Sequence, residues 1–401
     1  MHPAPLLPSA DEAPGSSLNG RAAPGIGCRP LRSLDEAKAL VDLVYETHGL
    51  SFYRDWMYQP DAILELNLRG AVRSLLAVEG RRVVGHAALV QPFFELQPPG
   101  APPITDPAHA EVGLALVQPR LRGRGTGELL GAAMHRMALE HGVLGVISRC
   151  VTHTDRGQRS AGAAGGAAVG LLLGSVPEWA QADPDAGPAG QSLSSMLYYT
   201  PLSKDTALRG LSTPPGMGFV ADRVAALGLR RGPPAPALEG PSALVCTWSA
   251  SRRAASILVS RAGDDLAERL GQSLGWLVRG HIAHVSVYIA ADTEGLERLG
   301  PALRALGLSA AGWLPRFFAG GRDAVLLQTL AWQRLDPARV VVADAGGAAV
   351  KAAVVADWGA GAAEGAVEDG RQGAVVVKLS DERAARAITP GVAGWVGRRR
   401  A

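Results

Sequence analysis

The sequence predicts a protein of the α/β (α+β) class, with a mixed, largely antiparallel sheet flanked by helices and a second α/β domain. The chain has 401 residues, more than one hydrophobic core usually serves. Its residues are 47% apolar and only 19% charged, as in a protein that folds nearly throughout. Strand-like and helix-like apolar patterns alternate in both halves, which favours two domains of mixed structure.

Charge and cysteine content restrict the function classes. The net charge is +3 and the arginines are scattered among acids, so no basic stripe favours a nucleic-acid partner. Cys28, Cys150 and Cys246 lack the paired spacing of a zinc site or a disulfide framework, which fits a reducing cytoplasm. The histidines form no ligand-spaced cluster, so we expect no metal.

Residues 1–29 are predicted to be a disordered leader, because Pro and acidic residues interrupt them early and no basic start precedes an apolar block. The longest weakly polar run, residues 160–177, is mostly Ala and Gly. Its length is at or below what a bilayer requires, so it is predicted as a helix end and a buried strand. We therefore expect no membrane partner.

The first half, residues 30–210, is predicted to form one domain. Its clearest element is a helix at 34–47, where apolar residues recur at helical spacing and Ser33 and Glu36 form a capping pair. Gly80-Arg81 separates two apolar runs that predict a hairpin. The other predicted elements, in order, are a helix at 61–68, strands at 74–79, 82–91 and 110–118, a helix from 127 to 142, and strands at 143–151, 168–173 and 192–202.

A Pro/Gly-rich linker at 212–218 places the domain boundary near residue 210, with the second domain at 211–401. Its predicted helices lie near 220–227, 264–278 and 294–306. Its predicted strands lie at 243–247, 255–260, 285–290, 313–318 and 324–330, with tail strands at 340–343 and 374–379.

One segment carries the clearest chemical signal. A predicted strand leads into Arg122-Gly-Arg-Gly-Thr-Gly127, and a helix begins at once. Such a loop exposes consecutive backbone N–H groups, and its glycines allow close approach. The helix N-terminus adds a partial positive charge, so the segment predicts a phosphate or diphosphate site.

The glycines of this loop allow three other interpretations. A Rossmann loop needs G-x-G-x-x-G, whereas the spacing here is G-x-G-x-G. A Walker loop needs a terminal Gly-Lys-Ser/Thr, which is absent. A glycine-rich turn that merely caps a helix remains an alternative.

With Arg122, Gly125 and Gly127 at its three defining positions, the loop resembles the R-x-x-G-x-G diphosphate signature of the GNAT superfamily of N-acetyltransferases. The predicted element order over residues 30–205 agrees with such a domain. Residues 217–335 lack the signature, but their element order resembles the later half of the same fold, with 313–328 similar to its final hairpin. The resemblance thus implies a GNAT domain followed by a degenerate GNAT-like domain.

The resemblance also implies the residues that would bind acetyl-CoA or another acyl-CoA, with no metal. The diphosphate would be held by Arg122, Gly123, Arg124, Gly125, Thr126 and Gly127. Leu116 and Val117 would pair with the pantetheine arm where their strand splays from the strand at 143–150, and a backbone N–H of that strand would polarise the thioester carbonyl. His153 and Gln158 would lie near the pantetheine.

Catalysis needs a base and an acid. An amine must be neutral to attack, and a lysine-like amine has a pKa near about 10.4, so a general base is required. Glu111, eleven residues before Arg122, resembles the base of several superfamily members. The tyrosine that usually protonates the CoA thiolate is missing from 152–170, and Tyr198 is the candidate substitute, with Tyr199, Cys150 and solvent as alternatives.

An aromatic cluster, residues 52–58, lies between the first two predicted helices, in the segment that commonly covers the acceptor site of such domains. Tyr53 and Trp56 are therefore candidate substrate contacts. Aromatic residues of this kind serve equally well as core.

The leading hypothesis is an acyl-CoA-dependent N-acyltransferase that transfers an acetyl group to a primary amine, of a small molecule or a protein lysine, through a tetrahedral intermediate. The missing tyrosine leaves open a catalytically silent acyl-CoA-binding sensor or regulatory module. A scaffold protein whose loop only caps a helix is a third hypothesis. The second half could instead be an unrelated domain that forms a homodimer or selects the substrate.

Overall fold

A computed structural model describes residues 25–96, 102–180, 190–236, 240–292 and 294–365. The strands of the first half are β1 (Ile26–Pro30), β2 (Val72–Glu79), β3 (Arg82–Val90), β4 (His109–Val117), β5 (Gly145–Val151), β6 (Ala167–Val176) and β7 (Leu193–Pro201). Its helices are α1 (Leu34–His48), α2 (Pro60–Leu68), α3 (Thr126–Glu140) and α4 (Arg156–Ala163).

The second half begins with two short strands, β8 (Arg209–Gly210) and β9 (Arg231–Gly232), which pair with each other. Its other strands are β10 (Ala243–Ser249), β11 (Ala254–Arg261), β12 (His284–Ala290), β13 (Ser309–Phe318) and β14 (Arg322–Leu330). Its helices are α5 (Phe219–Ala226), α6 (Leu266–Arg279), α7 (Gly300–Ala305) and α8 (Ala345–Gly365).

Twelve of these strands form one sheet in the order β1-β2-β3-β4-β5-β7-β6-β13-β14-β12-β11-β10. Within it, β4–β5 and β11–β12 pair in parallel, and the other neighbours pair antiparallel. The predicted fold class, a mixed and largely antiparallel sheet flanked by helices, is therefore confirmed. Among the described residues, every helix is too short or too polar to cross a membrane.

The two halves repeat one strand arrangement. The series β3-β4-β5-β7-β6 is followed across the sheet by β13-β14-β12-β11-β10, which is the same series in reverse. In both halves the one parallel pair is joined by a helix, α3 in the first and α6 in the second. The predicted likeness of the second half to the later part of the first is thus visible in its topology.

Alternating side chains of β2–β4 bury against different helices, as the two faces of a strand require. Leu76, Ala88 and Leu116 belong to the core under α1 and α2. Leu75 and Leu89 belong to the core under α3. Helices therefore cover both faces of this part of the sheet, which leaves the ends of the strands for a ligand.

The halves meet where β6 pairs with β13 at Gly170 and Gly312. A Cβ added to Gly312 would lie 2.6 Å from the Gly170 Cα, so the two backbones approach as only glycine permits. Gln328 on β14 supports this junction, because its side-chain oxygen accepts from Leu173 N at 2.8 Å and its nitrogen donates to Leu171 O at 3.2 Å.

A Gly312→Val substitution is expected to lower the free energy of unfolding by about 1–3 kcal/mol, because the added side chain would push the two strands apart. Gly27→Val is the matched control, since Gly27 is also in a strand and a Cβ there would meet nothing within 4 Å. The midpoints of thermal unfolding of both variants would measure the difference. Equal midpoints would show that the junction tolerates a side chain.

The structure differs from three predictions made from the sequence. Residues 26–29, expected in the disordered leader, belong to β1 because they pair with β2, while 1–24 lie outside the described residues. The helix predicted at 294–306 is shorter, with α7 covering only Gly300–Ala305.

The prediction of a strand at 340–343 is also wrong, because this segment is irregular. The Gly/Ala-rich stretch that follows it forms α8. The backbone of the irregular segment is bonded to the Gln158 side chain and, through Val341 N, to Thr152 O at 2.8 Å. The strand predicted at 374–379 lies outside the described residues.

Candidate functional site

Strand β4 opens the sheet beside a bulge. It pairs with β5 only from His109 to Val112, whereas its pairing with β3 continues to Val117. The register with β3 shifts between His86 and Ala88, and Leu114 there has a φ of 55°. Bulges of this kind bend a strand away from its neighbour. The predicted splay between β4 and the following strand is therefore confirmed.

The free edge of β4 presents the backbone of Val117. Gln118 N donates to Val84 O at 2.9 Å, so the backbone of Gln118 faces β3. Because alternate residues of a strand face the same edge, Leu116 also turns its amide towards β3 and Val117 turns its own away from it. The side chain of Leu116 is buried in the core. Of the two strand residues predicted to contact a cofactor, Val117 is the one whose amide lies on the open edge.

The loop after β4 is shaped by left-handed glycines. Gly123 and Gly125 have φ of 72° and 82°, and Gly125 is the residue immediately before α3. A non-glycine residue would be strained in that conformation. The glycines at alternate positions thus turn the chain from β4 directly into the N-terminus of α3, as the motif predicted.

Four backbone amides of this loop have no hydrogen-bond acceptor in the part of the chain that the structure describes. No acceptor among the described residues is bonded to the N–H groups of Gly123, Gly125, Thr126 or Gly127. A Cβ added at Gly123 or Gly127 would meet no atom within 4 Å. A helix N-terminus with unsatisfied amides binds anions, so a diphosphate can lie here against four donors.

The charged residues of the loop differ in exposure. Arg122 is half-buried and Arg124 is exposed. Thr126 is buried, and its hydroxyl has no hydrogen-bond partner in the described chain. Its contribution to an anion site would therefore come from its backbone amide.

A cavity of about 100 Å³ lies between the two halves. From the first half it is lined by Arg54, Glu95, Glu111 and Arg149, among others. The second half contributes residues of β10, β11 and β12 and the turn at Arg252. Glu111, the predicted base, therefore lies in the cavity.

Glu111 is part of a buried chain of polar contacts. Arg149 Nε donates to Glu111 Oε2 at 3.0 Å, and Arg149 also donates to the Tyr288 hydroxyl at 3.0 Å. Burial opposes the charge of Arg149, but Tyr288 and Glu111 outweigh it and hold the arginine pKa above its usual value. The pair orients the carboxylate, whose second oxygen has no hydrogen bond from the described residues.

Arg54 and Arg252 have no such partners. The Nε of Arg54 is buried without a hydrogen bond, and neither arginine forms an ion pair within the described chain. Burial and the nearby charge of Arg54 lower the pKa of Arg252 to about 10. Tyr53, a predicted substrate contact, stacks under Arg54 with 5.2 Å between the guanidinium carbon and the ring centre.

Sequence reasoning missed all three arginines of the cavity. Arg149 interrupts an otherwise apolar predicted strand, and that is a signal which could have identified it. Arg54 directly follows Tyr53 in the segment expected to cover the acceptor. Arg252 carried no comparable signal, because its role depends on the packing of the second half against the first.

Tyr198, the predicted acid, lies away from the cavity. Its hydroxyl donates to Asp344 Oδ2 at 2.6 Å, at the start of α8, and its side chain is buried. Burial, together with the hydrogen bond to Asp344, raises the pKa of Tyr198 well above its usual value. The structure therefore does not bring Tyr198 and Glu111 together.

Three further predicted residues lie at different places. Gln158 is fully buried, donates to Val341 O at 2.8 Å and accepts from Ala343 N at 3.1 Å, so its amide anchors the segment before α8 and is not free to contact a cofactor. His153 lies in the turn between β5 and α4. Trp56 packs against the core under α1 and α2 and does not line the cavity.

The equivalent position in the second half is closed. Strands β11 and β12 pair over six consecutive residues, from Ala254 with His284 to Val259 with Ile289, without the gap seen beside β4. The turn before α6 contains Asp264 and Asp265, and a Cβ added to Gly263 would lie 2.1 Å from Gly240 O. The close packing at Gly263 therefore leaves no room for a diphosphate there, and the negative charges of Asp264 and Asp265 would repel one.

No protein-family model matches the chain, and no curated protein matches it. Among solved structures, an N-acetyltransferase from Staphylococcus aureus Mu50 is 15% identical, covers 44% of this chain and 99% of its own, with a TM-score of 0.34. The ribosomal-protein-S18-alanine N-acetyltransferase of Escherichia coli is 10% identical, covers 45% and 96%, with a TM-score of 0.34.

The ribosomal-protein-alanine N-acetyltransferase of Brucella melitensis is 20% identical, covers 43% of this chain and 98% of its own, with a TM-score of 0.32.

Proposed function

We propose that this chain is an acyl-CoA-dependent N-acyltransferase, with acetyl-CoA as the simplest donor and a primary amine as the acceptor. The observation that carries the proposal is the set of unsatisfied amides of Gly123, Gly125, Thr126 and Gly127, next to the edge where β4 leaves β5. A diphosphate on the loop and an extended arm along β4 would direct a thioester towards the cavity at Glu111. This is the arrangement that the resemblance to the GNAT superfamily implies.

The reaction is a direct transfer. The neutral amine attacks the thioester carbonyl carbon, and a C–N bond forms while the carbonyl oxygen takes up the negative charge. Collapse of this tetrahedral intermediate breaks the C–S bond, releasing the amide and the CoA thiolate. The amine proton passes to a base, and the thiolate takes a proton from an acid or from solvent.

Residues of this chain can serve the first steps. The amide of Val117 lies on the open edge of β4, where it can pair with the pantetheine arm, and a backbone N–H of β4 nearer to Glu111 would donate to the developing oxyanion. Glu111 can take the amine proton, directly or through a water, on the oxygen that Arg149 leaves free. Tyr198 is bonded to Asp344, so we assign the return of a proton to the thiolate to solvent.

A second candidate function is an acyl-CoA sensor that binds without turnover. The observation that favours it is that both predicted catalytic groups already have partners, Glu111 with Arg149 and Tyr198 with Asp344. Both functions require the same CoA site. They differ in whether thiol is released from acetyl-CoA when an amine is added.

Calorimetric titration of the full chain with CoA is expected to show one site per chain, because the splayed strand and open loop occur in the first half and their counterparts in the second are closed. Thiol release with a panel of amines then separates enzyme from sensor. A stoichiometry of two would contradict the closed second site. Absence of any CoA binding would remove both candidate functions.

A further inference from the structure

The cavity at Glu111 is built by both halves of the chain. Arg54 precedes the short helical turn at 55–58, and Arg149 lies on β5. Arg252 lies in the turn between β10 and β11, about 200 residues from Arg54 in sequence but on the same cavity. Ser251, beside it, donates to Asp55 at 3.4 Å, which joins that turn to the segment carrying Arg54. Any ligand in the cavity would contact both halves.

The charges of the cavity do not balance. Three arginines face it, with two glutamates, Glu95 and Glu111. His284 also lines it, and burial lowers the pKa of this histidine to about 4, so it is neutral at pH 7. One positive charge therefore remains uncompensated. A site of this kind favours a ligand with one negative charge.

The uncompensated charge is located on Arg54 and Arg252. Arg149 is already held by Glu111 and Tyr288, whereas among the described residues no carboxylate forms an ion pair with Arg54 or Arg252. Burial opposes the charge of Arg54, and Tyr53, Glu111 and Glu95 act on it only through space, which keeps its pKa above the usual value. A guanidinium taken out of water without a partner is costly, and a planar anion that accepts its hydrogen bonds removes that cost. Arginine matches carboxylate in geometry as well as in charge.

We propose that the acceptor is a small amine that carries a carboxylate, and that Arg54 and Arg252 together bind this carboxylate in the cavity. Transfer of an acyl group to this amine rests on the proposed function, whereas binding of the carboxylate by the two arginines does not. Glu111 lines the same cavity, so the amine end would lie near the proposed base. A cavity of about 100 Å³ admits a compact molecule, well short of the roughly 300–1,000 Å³ that larger ligands occupy.

The choice of carboxylate over phosphate follows from the net charge. A phosphate monoester carries close to two negative charges at pH 7 and would exceed the single positive charge that the cavity leaves uncompensated. The same guanidinium chemistry serves either anion, so the experiment includes both.

The test uses amine pairs that differ only in the anion. Glycine, β-alanine, 4-aminobutyrate and 6-aminohexanoate are each compared with their carboxamides, with phosphoethanolamine as the phosphate probe. Binding to the CoA-saturated chain is measured by calorimetry, and transfer by thiol release from acetyl-CoA. The chain-length series also reports the distance between the carboxylate site and the reacting carbonyl. At least one acid is expected to bind and react with a kcat/KM about tenfold or more above that of its amide.

Variants locate the effect. Arg252→Gln and Arg54→Gln are each expected to raise the KM for the acid by about tenfold or more, to leave the KM for the amide nearly unchanged, and to remove the preference for the acid. Arg252→Lys should restore part of it. Arg253→Gln is the matched control, because Arg253 is the exposed neighbour of Arg252 and its Nε donates to His281 O at 3.0 Å, away from the cavity.

The outcomes are distinguishable. If CoA binds and amides match or exceed the acids, or no acid binds or reacts, the carboxylate proposal is overturned while the CoA site stands. Tighter binding of phosphoethanolamine than of every acid would overturn the choice of carboxylate. Unchanged CoA affinity in each variant shows that it is folded, and a loss of acid preference in Arg253→Gln would show that the effect is not specific to the cavity.

Discussion

Replacing Gly127 by valine is expected to lower the affinity for CoA by about 100-fold or more while leaving the protein as stable as before. The added side chain would extend into the space in front of the loop, where a Cβ meets no protein atom within 4 Å. A diphosphate displaced from the amides loses charge-assisted hydrogen bonds that contribute about 1.5–3 kcal/mol each. Two lost bonds account for a change of this size.

Gly131→Val is the matched control, one turn further along α3. Gly131 is also exposed and helical, and a Cβ there also meets nothing within 4 Å. Both substitutions replace a helical glycine by a better helix former, so their effects on stability should match. Calorimetric titration with CoA and thermal unfolding would be compared for the two variants. A similar loss of CoA affinity in both variants, or no loss in either, would argue against the loop as the diphosphate site.

Glu111→Gln is expected to lower kcat by about 10²–10⁴-fold, because the amine proton would lose its acceptor. The affinity for CoA should stay within about twofold, since Glu111 lies in the cavity and the diphosphate would lie on the loop before α3. The measurement is steady-state thiol release with the best acceptor, together with a CoA titration.

The ion pair with Arg149 needs its own control, because the glutamine also leaves a buried arginine without its carboxylate. Glu111→Asp retains the charge with a shorter side chain and should recover part of kcat. The Arg149→Lys substitution retains the positive charge but changes the geometry of the ion pair. A similar loss of kcat in Arg149→Lys and Glu111→Gln would indicate that kcat depends on the orientation of the pair rather than on proton transfer to Glu111. An unchanged kcat in Glu111→Gln would exclude Glu111 as the base.

Much of the first half was predictable from local patterns. Ser33 caps α1, as its spacing to Glu36 indicated, with Glu36 N donating to the Ser33 hydroxyl at 3.3 Å. The glycines of the loop adopt the left-handed conformation that their spacing implied. These features depend on residues a few positions apart, and short-range sterics and hydrogen bonds determine them.

Long-range contacts decided what was not predictable. From the sequence, residues 26–29 were predicted to be part of a disordered leader, but in the structure they pair with the edge of β2. From the sequence, Gln158 was a candidate cofactor contact, but in the structure its side-chain amide is hydrogen-bonded to the backbone at 341–343. From the sequence Tyr198 was a candidate acid, but in the structure its hydroxyl donates a hydrogen bond to Asp344. In each case the partner lies far away in sequence, and no local pattern encodes it.

The sequence by itself determined the mixed sheet and the glycine loop at a helix N-terminus, from which the class of ligand is proposed, because periodicity and glycine spacing act within a few residues. Only the tertiary structure decided that the two halves share one sheet and that Arg54 and Arg252 face one cavity. The reason is physical: a charge is costly only where burial removes its water, and burial depends on how distant segments pack.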